Sequence, residues 1–157
     1  MKLPRHIATT GFSLAAIATI ALAACGGEEE VAGPGHDEGE PEPAGVVIQV
    51  GGTTITADET SASGPITVTA GDETANFDVQ FVDDDGNVLN IDEADFFAAG
   101  VSDDETIAEY HSIEAFRGHI EGHAEGSAAV VFSLMHPPGP DAHSNFDAAP
   151  ITIDVVP

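Results

Sequence analysis

The 157-residue chain has one cysteine, no tryptophan, a single tyrosine and only three Lys or Arg residues. A lone cysteine excludes an intrachain disulfide and any multi-cysteine zinc site. The few basic residues stand against 28 acidic ones. Beyond residue 25 only Arg117 opposes those 28 acids, so that part of the chain has a formal charge of −27. Such a field repels nucleic acid and anionic membrane surfaces and attracts cations. Its plain consequence is solubility, and it also suits salty water, because at 1 M salt the Debye length falls to about 3 Å. A sustained helical period is missing as well. So are the marks of catalysis. Ser127 and Ser133 sit in no nucleophile elbow, no phosphate-binding loop occurs, and carboxylates are too numerous for one pair to stand out. The expectation is a protein that is not an enzyme.

What is present begins at the N-terminus. Lys2 and Arg5 precede the uncharged run "GFSLAAIATIALAA", which ends at "LAAC", Leu22 to Cys25. A basic start, an apolar stretch and small residues before a cut define a secretory signal. "LAAC" resembles the bacterial lipobox. The resemblance implies cleavage before Cys25 and lipidation of its thiol, which accounts for the unpaired cysteine of an exported chain. The competing reading is an uncleaved membrane anchor, for which Ile7 to Ala24 is only marginally long. Residues 26–45, "GGEEEVAGPGHDEGEPEPAG", have almost nothing apolar to offset ordering entropy. They read as a tether, with His36 solvated, reaching roughly 60 Å if extended at about 3.1 Å per residue. The expected organisation is a lipoprotein signal peptide (1–24), a lipid-anchored disordered linker (25–45) and one globular domain (46–157).

From Val46 onward the pattern has period two. "VVIQV" and "TTIT" flank a Gly-Gly turn. "PITVTA" (65–70), "ANFDVQFV" (75–82), "VLNI" (88–91), "TIAEYH" (106–111), "RGHIE" (117–121), "SAAVVFSLM" (127–135) and "PITIDVV" (150–156) follow as strand candidates, while "DFFAAGVS" (95–102) is ambiguous. Turn signals every 8–12 residues or so point to an all-β sandwich or barrel.

"ITVTAGDETANFDVQFVDDDGNVL" and "SDDETIAEY … GHIEGHAEGSAAVVFSL" are similar to the two halves of bacterial immunoglobulin-like domains of the group 2 type. Ala108, Gly118, Ile120, Gly122 and Gly126 stand at that pattern's small and apolar positions. The resemblance spans about 65–135 and implies an immunoglobulin-like antiparallel β-sandwich. The chain departs from the pattern in lacking the usual tryptophan, in the insertion "SIEAFR" before Gly118, and in the long last loop "HPPGPDAHSNFDAA". Such domains serve as spacers, adhesins and accessory modules, so the resemblance implies little about function.

Five of the seven histidines lie between 111 and 143. Imidazole is the commonest transition-metal ligand. His119 and His123 would share an ion on a helix, where i and i+4 are neighbours, but Gly118, Gly122 and Gly126 argue against one. On a strand, four residues span about 13 Å, too far for one ion unless the chain bends. In a sandwich, the strands ending at His111 and Met135 finish at the same end, and the loop 136–149 emerges there. This brings His111, His136 and His143 to one rim, with His119 or His123 auxiliary and Asp141 as ligand or supporting carboxylate. The opposing reading makes them polar rim residues. The expected ion is Zn or Cu. Met135 beside His136 favours Cu(I) only weakly, since strand neighbours point to opposite faces. "DDDGNVLNIDE" fails the EF-hand pattern, because alignment on Gly86 puts Phe81 first and Asp92 last. It reads as a turn in which Asp83 and Asp85 offer Ca²⁺ only loose contacts. Two functions remain. One is a membrane-anchored extracytoplasmic lipoprotein that binds a transition metal. The other is a structural or adhesive surface module whose loops meet a protein or surface partner.

Overall fold

The computed structural model describes residues 40–157. The expected signal peptide (1–24), the expected lipidation site Cys25 and the expected linker up to residue 39, His36 included, lie outside the described residues.

Ten strands follow one another in the described chain: β1 (Gly45–Val50), β2 (Thr53–Ala57), β3 (Pro65–Thr69), β4 (Phe77–Val82), β5 (Phe97–Ser102), β6 (Ala108–Glu114), β7 (Arg117–Gly122), β8 (Gly126–His136), β9 (His143–Asp147) and β10 (Ile151–Val156). One sheet has the order β2-β1-β4-β7-β6. The other has the order β3-β10-β8-β5, with β9 also paired to β8. The fold is the expected all-β, immunoglobulin-like sandwich. One pairing departs from a purely antiparallel arrangement, because β3 runs parallel to β10.

Period-two patterning explains the layers. In β10, Ile151, Ile153 and Val155 are buried while Thr152 is exposed. Ile48, Phe81 and Ile120 from the first sheet meet Phe132, Ile151 and Ile153 from the second, all fully buried. At the centre, Tyr110 packs edge-on against Phe132 with centroids 5.1 Å apart, and Phe77 lies 6.1 Å from Tyr110. These rings fill the middle of a core that has no tryptophan. The β1–β2 turn uses Gly51 and Gly52 at φ +58° and +80°, the two positive angles that a tight hairpin turn needs.

Several boundaries differ from the sequence expectation. "VLNI" is not a strand. Its only strand-like contact is an isolated bridge from Val88 to Val82, and the next residue donates Leu89 N–H to Phe81 O at 2.9 Å. The ambiguous "DFFAAGVS" contributes β5. The long last loop contains β9, tied to β8 by Ser133 Oγ, which donates to Asp147 Oδ1 at 2.5 Å, while Ser144 Oγ donates to the same oxygen from within β9 at 2.7 Å. β6 continues three residues past His111, to Glu114, before the chain turns into β7.

Candidate metal centre

The hairpin β6–β7 builds the site. Its register pairs Glu109 with Glu121, Tyr110 with Ile120, and His111 with His119. Alternation sends Ala108, Tyr110, Gly118, Ile120 and Gly122 into the core, and Glu109, His111, His119 and Glu121 to the outer face. The glycines of "GHIEGH" are therefore inward positions. A Cβ on Gly118 would lie 2.5 Å from Tyr110 Cε2, and one on Gly122 would lie 2.9 Å from Thr69 O. Burial pushes the Tyr110 hydroxyl beneath this face up to about 12. His123 follows the last residue of β7. Its N–H donates to Ile107 O at 2.8 Å, which holds it beside the start of β6.

Glu109, His111 and His123 each offer one donor atom, and the three atoms lie within 4.8 Å of one another; this is the one such group of His, Cys, Asp or Glu among the described residues. His111 Nε2 is 3.5 Å and His123 Nε2 is 3.7 Å from Glu109 Oε2. Two ligands about 2.1 Å from a tetrahedral ion are separated by roughly 3.4 Å. The observed spacings are near that value and too long for hydrogen bonds. His111 Nε2 is buried with no hydrogen-bond partner, the condition of an atom waiting for one. Glu121 straddles the pair, with Oε2 3.2 Å from His111 Nε2 and Oε1 3.8 Å from His123 Nδ1. It is placed either to complete the donor set or to orient His123 from its far nitrogen, as carboxylates do for metal-bound imidazoles. His119 lies behind the group. Its ring stacks on that of His111 with centroids 5.4 Å apart, and its Nε2 is 3.3 Å from Glu73 Oε2.

The electrostatics point the same way. Glu121 is paired in register with Glu109 on one side and bridged to Glu73 on the other. Like charges directly opposite one another on neighbouring strands are destabilising, and a cation on this face relieves them. The side chains that carry these donors are partly exposed, His111 39% and His123 34%, although His111 Nε2 itself is covered.

The sequence-predicted residues are divided. His111 and His123 come together, with His119 adjoining. His136 and His143 pair with each other as opposite residues of β8 and β9, and the structure does not bring them to His111. The reason is strand length. His111 is a mid-strand residue on the outer face, whereas His136 is the last of the 11 residues of β8 that begin at Gly126, roughly 30 Å at about 3.3 Å per residue. Asp141 is exposed in the loop between β8 and β9. Asp83 closes the "DDDGN" turn by accepting from the backbone N–H groups of Asp85 and Asn87 at 3.0 and 2.8 Å. Hydrogen bonds from Asn87 hold its carboxyl below the usual range. Its Oδ1 is thus engaged locally, and Asp85 takes part through its backbone. Sequence reasoning missed Glu109 and Glu121. The signal was the mirrored run "EYH … HIEGH", which a hairpin centred near Ala115 folds onto itself.

No family model matches the chain, and no curated protein does. Among solved structures, domains 4 and 5 of the S-layer protein SbsC are similar at 19% identity, with a TM-score of 0.42, over 75% of this chain and 55% of that one. The chain therefore spans little more than half of that neighbour.

Proposed function

We propose that this protein is a lipid-anchored, extracytoplasmic binder of a transition-metal ion and not an enzyme. The ion is held on the outer face of β6–β7 by His111, His123 and Glu109, with Glu121 completing or orienting the set. The observation that carries this reading is the convergence of those three donor atoms within 4.8 Å. Two imidazoles and a carboxylate suit Zn²⁺, Ni²⁺ or Cu²⁺. Ca²⁺ and Mg²⁺ prefer all-oxygen shells. The face is open, so a fourth position remains for water or an exchanging ligand.

Strand directions place the site at one end of the sandwich. β1 and β7 are both antiparallel to β4 and hence run the same way. The chain thus enters the sandwich at Gly45, at the end opposite His123. The acidic surface attracts cations toward the site.

The test is calorimetric titration of the protein with Zn²⁺, Ni²⁺ and Cu²⁺. Saturable binding that weakens at least tenfold in His111→Ala and in His123→Ala is expected. Silence toward all three ions, or binding indifferent to both substitutions, would overturn the reading and leave a structural or adhesive module.

A further inference from the structure

At the end where the chain enters the sandwich, a second group of donors surrounds the last tether residues. His136 and His143 are opposite each other at the tip of β8–β9, with ring centroids 5.4 Å apart at 83°. Phe96 stacks on His136 at 4.7 Å and fixes its ring. The ladder between β8 and β9 is irregular here. Leu134 faces Phe146 and Met135 faces Ser144, so Asn145 is the extra residue, and bulges of this kind re-aim a side chain. Asn145 Nδ2 donates to Glu40 Oε2 at 3.2 Å. A carboxylate only accepts, so this bond fixes the amide's orientation and directs Oδ1 elsewhere. The other Glu40 oxygen, Oε1, is 3.9 Å from His136 Nδ1, a gap too long for a hydrogen bond.

Two atoms at this place, His136 Nδ1 and Asn145 Oδ1, are buried with no hydrogen-bond partner. A buried polar atom left unpaired is destabilising, and both are lone-pair donors to a cation. Together with the Glu40 carboxylate and the exposed His143 ring, they form a mixed imidazole, carboxylate and amide set suited to a borderline divalent ion.

We propose that His136, His143, Glu40 and Asn145 form a second divalent-metal site, distinct from the β6–β7 face. Because Glu40 precedes β1 and the other ligands belong to β8–β9, an ion bound here clamps the base of the tether to the sandwich. His143 closes the set by turning its side chain toward His136 Nδ1. This site stands on its own geometry and does not depend on the first.

The experiment is equilibrium dialysis of the full chain in detergent micelles against Zn²⁺, with metal and protein quantified. Wild type should hold two ions. His143→Ala and Glu40→Gln should each remove one, and Glu40→Gln leaves the strands untouched. His111→Ala should remove the other, and His111→Ala combined with His143→Ala should remove both. His36→Ala, in the tether, should change nothing. One ion that is lost with His111→Ala overturns the second site and leaves the first. One ion lost with His143→Ala but kept in His111→Ala does the reverse. No ion overturns both. A second ion that survives Glu40→Gln and His143→Ala, or follows His36→Ala, also overturns this proposal.

Discussion

Replacing Glu109 by glutamine should stabilise the metal-free protein and abolish its response to Zn²⁺, two effects of opposite sign from one carboxylate. Glu109 lies directly across from Glu121 on the exposed face of β6–β7, and a like-charged cross-strand pair costs about 0.2–1 kcal/mol. For a sandwich running from Gly45 to Val156, that gain raises the melting temperature by roughly 1–5 °C. The same oxygen, however, is the point from which His111 and His123 are 3.5 and 3.7 Å distant, and a neutral amide is a far weaker ligand. Wild type at a Zn²⁺ concentration of about 100 times the dissociation constant gains about 2.7 kcal/mol, or roughly 10 °C. Glu109→Gln should gain almost none of it. The assay is thermal unfolding followed by circular dichroism at pH 8, above the range in which free imidazole titrates, with and without Zn²⁺. Raising the salt to 1 M should erase most of the metal-free difference, because the repulsion is screened. A variant that melts below wild type without metal and still rises with Zn²⁺ would refute both halves of the reasoning.

Three further outcomes follow from the same face and its support. Gly118→Ala places a Cβ 2.5 Å from the Tyr110 ring and against the β6 backbone, so it should destabilise by about 1–3 kcal/mol, visible as a lower melting temperature; an unchanged melt would show that β7 has slack. The Tyr110 hydroxyl, pushed up to about 12 from an ordinary 10.0 by burial, keeps its proton in the folded state after the unfolded chain has lost it. Stability is therefore intact below pH 10 and falls between 10 and 12, by on the order of 2 kcal/mol, and Tyr110→Phe should flatten that decline in denaturant titrations. Asp58, held down to about 2 by hydrogen bonds from Thr60 and Ser61, supports its turn above pH 4 and loses that contribution as pH falls through 2. The Thr60 and Ser61 amide resonances should hold their positions down to about that pH, and movement near pH 4 would show that the hydrogen bonds are not made.

Much of the fold was legible because burial writes itself as alternation. "ITIDVV", "NFDVQFV" and "SAAVVFSL" each show period two in the sequence, and each became a strand with the expected inward face. The failures have local causes. "VLNI" alternates, but it crosses over β4 with a single bridge and has no partner strand. β9 reads "HSNFD", with one buried residue, Phe146, and its pairing with β8 is supported by the side-chain hydrogen bond from Ser133 to Asp147. Of the candidate site, the histidines were visible and their grouping was not. Spacing along β7 separates His119 from His123, and that argument is sound for one strand. It does not address the neighbouring strand, where register sets His111 and Glu109 opposite His119 and Glu121. A strand that ended at His111 would put that residue at the rim beside His136 and His143, but β6 runs on to Glu114. Glu109 carried no signal of its own among 28 acids; only its position in the mirrored run distinguishes it.

The most direct measurement is anomalous diffraction at the zinc edge from crystals of the protein grown with Zn²⁺. The account predicts a peak on the outer face of β6–β7, about 2.0–2.1 Å from His111 Nε2, His123 Nε2 and a Glu109 oxygen. A map with no peak between those side chains, at Zn²⁺ concentrations that saturate the protein in solution, would contradict it.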